Sequence, residues 1–182
     1  MNQDQRDAQE LRAYIRDIPD FPTPGIMFKD ITPLLLDPGA LDLAVSRLAE
    51  LVAPTPVDYV VAAEARGFIL GAALARELGA GFVPARKPGK LPGETLSADY
   101  ALEYGIDSLE VHADAMAGGA KVLVHDDLLA TGGTAGALCD LVIGLGGDIV
   151  GCAFLLELAF LGGRQRLQAQ AHPVHSLIEY KD

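Results

Sequence analysis

Apolar positions along the chain repeat with two different periods, and each stretch predicts a different element. Leu11, Tyr14, Ile15 and Ile18 recur at helical spacing and predict a helix over residues 8–18. Two prolines and a glycine in FPTPGIMFKD then break the pattern. Asp37-Pro38 reads as a capping side chain followed by proline in the first turn. It predicts a helix running to about Leu51 that buries Leu41, Val45, Leu48 and Val52. A β-branched run over Val57–Ala63, a helix over Phe68–Leu78 capped by Gly79, and a strand at Phe82–Ala85 follow. Farther on come short strands at 109–113 and Val122–His125, a helix from Thr134 to about Leu145, and strands at Ile149–Leu156 and 174–179. Between Lys87 and Leu109 the chain is polar with little periodicity. That is longer than an ordinary connection and predicts a functional flap.

Strands alternating with helices of this length predict an α/β fold: a mainly parallel central sheet flanked by helices. Residues 1–182 read as one domain with a flexible hood at about 87–108. In such folds ligands bind beyond the carboxyl ends of the strands. Three polar clusters are predicted there: Glu64-Ala-Arg-Gly67, Arg86-Lys87 and Asp126-Asp127.

Composition narrows the classes. Half of the 182 residues are hydrophobic, so a substantial core is expected rather than disorder. A net charge of −11 argues against nucleic acid as a partner, while a few local cations could still hold a small anion. No apolar stretch approaches the roughly 20 residues of a membrane span, and the polar start MNQDQRDAQE is no signal peptide. Cys139 and Cys152 lack metal-type spacing and read as buried free thiols of a reducing, cytoplasmic compartment.

The chemistry concentrates in VLVHDDLLATGGT (122–134). Glycines in Ala130-Thr131-Gly132-Gly133-Thr134 leave backbone N–H groups uncovered just where a helix begins, which suits a phosphate monoester. The bland alternative is an ordinary turn with Thr134 as its cap. Neither a GxxxxGK[ST] loop nor a full dinucleotide fingerprint occurs, since GLGGDI lacks the third glycine. Adjacent carboxylates at Asp126 and Asp127 repel each other unless a metal ion, sugar hydroxyls or developing positive charge uses them. A sugar phosphate accounts for acids and turn together.

This stretch resembles the signature of the type I phosphoribosyltransferases. FPTPGIMFKDITPLL (21–35), EARGF, RKPGKLPGET, LEYG and LLEL are similar to the adenine phosphoribosyltransferases in particular, from about residue 10 to Tyr180. The resemblance implies transfer of a phosphoribosyl group from phosphoribosyl pyrophosphate to N9 of adenine, giving AMP and pyrophosphate. It also implies Mg2+ carried on substrate oxygens, with no direct protein ligand, and a homodimer. Asp126 and Asp127 would hold the ribose hydroxyls, and residues 130–134 the 5-phosphate. Arg66, Arg86, Lys87 and Lys90 would grip pyrophosphate, next to a cis peptide at Glu64-Ala65. Phe28 would stack on adenine, with the Met27 backbone at the purine edge and Leu158 on the other face. Lys29 would join the adenine contacts, though it stands where many relatives carry arginine and lacks its planar fork. Glu103 would move the proton on the base, with Tyr104 beside the reaction centre.

His125 departs from the apolar residue usual before the acids and is expected to be a core histidine bonded to backbone. His172 and His175 are expected in a turn. The rival readings are a phosphoribosyltransferase for another base and a non-catalytic sensor of phosphoribosyl pyrophosphate.

Overall fold

The computed structural model describes residues 3–102 and 105–181. Its centre is a five-stranded parallel sheet built from β3 (Tyr59–Ala63), β4 (Gly81–Ala85), β7 (Lys121–Leu129), β8 (Asp148–Leu158) and β9 (Val174–Tyr180), in the order β4-β3-β7-β8-β9. Ahead of it come α1 (Gln3–Arg12), a β1 (Arg16–Pro19) and β2 (Met27–Asp30) ribbon, and α2 (Thr32–Leu36) and α3 (Pro38–Val52). The chain leaves β3 through α4 (Gly67–Leu78) to β4, and leaves β7 through α5 (Gly133–Gly144) to β8. These two excursions depart in opposite directions along the sheet. The carboxyl ends of β3 and β7 therefore flank its topological switch point, where a crevice opens in such folds.

Each face of the sheet is covered, which is why its strands read as continuous apolar runs. Val60, Leu123 and Ala153 pack with Leu48, Val52 and Leu74 of α3 and α4. Their neighbours Val61, Val122, Val124 and Phe154 pack with Leu138 and Val142 of α5 on the opposite face. Asp37 caps α3 as expected, accepting from the Ala40 amide at 2.9 Å, and Gly79 ends α4 in the left-handed region at φ 67°.

Three differences from expectation have physical causes. The first helix stops at Arg12, and Ile18 lies in β1 opposite Phe28. Pro19 restricts Ile18 to extended backbone, so the helical stripe could not continue through it. The aspartates lie inside β7 rather than after it, because β7 continues to Leu129 alongside β8. Finally, the stretch expected to be irregular carries an antiparallel pair, β5 (Thr95–Leu102) and β6 (Gly105–His112). Leu96, Ala98 and Tyr100 alternate with polar residues there, as do Leu109 and Val111, and these side chains join the α5 core. Alanine and interspersed charge dilute that period-two signal. A short helix, α6 (Gly163–Gln168), follows a 3-10 turn at Ala159–Leu161.

His125 is fully buried, and its Nδ1–H donates to the Ala153 carbonyl at 2.9 Å. Nε2 then faces the interior with no donor among the described residues. Burial depresses its pKa from 6.5 to about 4, against the weaker pull of that carbonyl. A depressed histidine is neutral in the folded protein and charges more easily when unfolded. Stability is therefore complete above the unfolded value and is lost as pH falls from about 6.5 towards 4, by at most about 3 kcal/mol. We expect His125→Leu to flatten the pH dependence of unfolding midpoints between pH 7 and 4.5, as measured by urea titration. Parallel wild-type and variant curves would refute this account. Cys139 and Cys152 are both buried free thiols, with their sulfurs 3.8 Å apart.

Candidate active site

The crevice is assembled from four backbone segments that meet at the switch point. Just past β3 stands Glu64, whose peptide bond to Ala65 is cis, and Arg66 stands at the mouth of α4. Gly67 opens that helix against the diacid: a Cβ there would lie 2.8 Å from Asp126 Oδ1. Any larger residue there would have to displace the Asp126 carboxylate.

Asp126 Oδ1 accepts the Asp127 backbone N–H at 2.9 Å. Asp127 is only 3% exposed, and its Oδ2 lies 3.0 Å from Arg66 Nε. The contact is an ion pair and not a well-aligned hydrogen bond, so Oδ2 retains unused acceptor capacity among the described residues. Burial, and then the neighbouring Asp127 charge, push the Asp126 pKa well above the usual carboxylate range. Burial raises Asp127 as well, opposed by the Arg66 charge. The two acids are thus held in a state that a ligand offering hydroxyls or positive charge would relieve.

Past the acids, the chain turns through Ala130–Thr134 into α5. Gly132 sits at φ 77° as the helix cap, and no side chain caps the helix. Thr134 therefore lies within the first turn and does not cap it. The backbone of this turn lines a concavity of about 70 Å³ between Leu128 and Ala135, sized for a phosphate group.

On the other side of Arg66 a larger cleft of about 390 Å³ opens. Phe28 forms one wall, braced edge-on by Phe21 with ring centroids 5.0 Å apart. The Arg66 guanidinium lies 5.0 Å above the Phe28 ring, so one side chain spans the cleft and the acids. Ile18, Ile31, Leu35 and Ile69 complete the apolar lining, and these were not singled out from sequence because they read as ordinary core positions.

The remaining expected residues are distributed unevenly. Lys29 turns away from the cleft on the alternate face of β2, where Nζ bonds Asp17 at 2.7 Å and sits 4.1 Å over the Tyr180 ring. The expected place at the base does not match that position. Met27 is half exposed in the ribbon, and Leu158 ends β8 opposite Tyr180; neither lines the cleft. Arg86 bonds Glu64 at 2.8 Å, and Lys87 pairs with Asp107 and with the Tyr100 hydroxyl at 3.0 Å. Burial disfavours the Lys87 charge, but its bonds to Asp107 and Tyr100 outweigh this and hold its pKa above the usual lysine range. Lys90 is exposed. Glu103 and Tyr104 lie outside the described residues.

The phosphoribosyl transferase domain family matches residues 39–179. An adenine phosphoribosyltransferase of Rubrobacter xylanophilus is 56% identical over 182 residues, covering 100% of this chain and 98% of that protein. The chain belongs to the adenine phosphoribosyltransferases. A relative of the same name from Methylococcus capsulatus is 57% identical over 94% of this chain and 99% of its own. Among solved structures, the Thermoanaerobacter pseudethanolicus enzyme is 52% identical with a TM-score of 0.92, covering 95% of this chain and 99% of that one. The Saccharomyces cerevisiae enzyme, complexed with an imino-altritol bisphosphate and adenine, is 40% identical with a TM-score of 0.89, covering 96% and 99%. As an adenine phosphoribosyltransferase, the chain transfers the 5-phosphoribosyl group of phosphoribosyl pyrophosphate to N9 of adenine, with AMP and pyrophosphate as products. The readings as an enzyme for another base and as a sensor are set aside on this evidence.

Proposed function

We infer that the crevice divides its substrates along the Arg66 side chain. The observation that carries this is the single guanidinium joining the Phe28 cleft to the buried Asp127. Adenine stacks on Phe28, its plane matched to the aromatic wall. The ribose hydroxyls donate to Asp126 and Asp127, supplying the hydrogen bonds that Asp127 Oδ2 is without among the described residues. Its 5-phosphate accepts from the uncapped amides of Gly132–Thr134. C1′ is thereby presented towards the base, and N9 attacks as the bond to pyrophosphate breaks.

The work of the protein is positioning and electrostatics. Arg66, with Arg86, Lys87 and Lys90, balances the charge gathering on the leaving group. Arg86 and Lys87 reach it by exchanging Glu64 and Asp107 for pyrophosphate oxygens. The segment 87–108 serves as a hood that closes over the substrates and excludes water. Glu103, assigned from the family resemblance of its segment, takes the proton released from adenine, with Tyr104 packed close by. Mg2+ would ride on the oxygens of the substrate itself, with no direct protein ligand. When bound, the ion neutralises part of the pyrophosphate charge.

We place the enzyme in the cytosol as a homodimer. Buried free thiols suit a reducing compartment, and among the described residues no helix is long and apolar enough to cross a membrane. Exposed Leu36, at 78%, offers apolar surface of the kind a second copy would cover.

Phe28→Ala tests the division. Base–aromatic stacking contributes about 1–3 kcal/mol, so KM for adenine should rise about 5- to 150-fold while KM for phosphoribosyl pyrophosphate changes little. Steady-state kinetics in both substrates measure this. An equal rise in both constants would mean that the aromatic wall supports the fold and not the base.

A further inference from the structure

The turn at Ala130–Thr134 is backed by a second loop that the reaction scheme leaves unused. Gly163 packs so tightly behind it that a Cβ would meet the Ala130 carbonyl at 2.3 Å and the Gly132 amide at 2.9 Å. Arg164 pins this loop to the sheet. It forms a multidentate pair with Glu157, which is only 1% exposed, and donates to the Val174 carbonyl at 2.8 Å and to the Ser176 hydroxyl at 3.2 Å. Two residues on, α6 carries a second arginine.

Arg166 lies along the outside of the turn. A Cβ built on Gly132 would be 3.5 Å from Arg166 Cδ, and one built on Gly136 would be 3.9 Å from its Nε. The stem thus covers both glycines, which are buried beneath it, while the residue itself is exposed. Unlike Arg164, it has no acid partner among the described residues, in a chain with 25 acidic and 14 basic residues. A guanidinium kept free of carboxylates, on a helix anchored by a buried ion pair and beside the first turn of α5, is suited to a second negative charge.

We propose that Arg166 is a positioning residue for the 5-phosphate: its charge strengthens the field of the Gly132–Thr134 turn and selects the phosphorylated sugar over an uncharged one. This rests on the reading of that turn as the phosphate seat. It assigns the affinity for the phosphate partly to α6, outside the motif that marks the family.

Arg166→Met keeps a stem over Gly132 and Gly136 and removes the charge. Calorimetric titration at low salt should show AMP binding weakened about three- to tenfold, with KM for adenine unchanged. The difference should narrow at high salt, and Arg166→Lys should recover most of the loss. Wild-type AMP affinity in Arg166→Met at low salt, or a loss shared equally by Arg166→Lys, overturns the proposal. Gly163→Ala separates the two levels. If it weakens AMP binding while Arg166→Met does not, the turn remains the phosphate seat and Arg166 has no part in it. If neither variant alters AMP binding, the reading of the turn itself fails.

Discussion

Asp126→Asn should yield a protein that is more heat-resistant and much less active. Asparagine is nearly isosteric with aspartate and its oxygen can still accept the Asp127 amide, so the local geometry of 2.9 Å is preserved. What disappears is a carboxylate whose ionised form is disfavoured by burial and by the Asp127 charge. A carboxylate with a raised folded pKa costs stability once it ionises. Its removal should therefore raise the melting temperature of the ligand-free enzyme at neutral pH, by about 2–4 °C for each kcal/mol of repulsion relieved. As pH is lowered through the folded pKa, wild-type Asp126 takes up a proton and the two melting curves should converge. Catalysis moves the other way. A hydrogen bond to a charged group contributes about 1.5–3 kcal/mol, so kcat/KM for phosphoribosyl pyrophosphate should fall about 10- to 150-fold. Scanning calorimetry and steady-state kinetics on one preparation check both. A variant that loses stability together with activity would show the acid to be structural.

The second large effect is expected from a single methyl group. In Gly163→Ala the new carbon would stand 2.3 Å from the Ala130 carbonyl oxygen and 2.8 Å from Leu129 Cδ1. Both neighbours belong to the end of β7 and the turn that follows, so relief requires moving the backbone that carries the phosphate amides. Overpacking of this kind costs about 1–3 kcal/mol of stability. A displacement near 1 Å at a positioning group can cost about 10²-fold in rate. We expect kcat/KM to fall by about that factor, with a melting temperature lowered by several degrees. Gly118→Ala serves as the control, since nothing lies within 4 Å of the methyl it adds. Equal activity in the two variants would tell against the turn as the seat of the phosphate.

Much of this candidate site is legible in the sequence. The acids, the glycine turn and EARG are contiguous motifs, and local chemistry explains each of them: adjacent charges need a partner, and uncapped amides need an anion. His125 was legible for a similar reason, because a polar ring inside a β-branched run has only backbone to bond. The cleft was less so. Ile18, Ile31 and Ile69 look like core residues in sequence, and they line a binding surface only because the β1–β2 ribbon, α2 and α4 converge. The position of Lys29 is hard to read for a related reason. Strand alternation sends it to Asp17 and Tyr180, and which face of so short a ribbon meets the crevice depends on packing.

The chain's own order of residues determined the elements that carry the chemistry, because capping, period and turn preference act over a few neighbours. It could not determine that β3 and β7 lie side by side, some 60 positions apart, with α4 and α5 leaving in opposite directions. Nor could it place Gly163 and Arg166 behind a turn more than 30 residues earlier. Those juxtapositions arise from burying both faces of one sheet, a condition that involves every strand and helix at once and is written in no single segment.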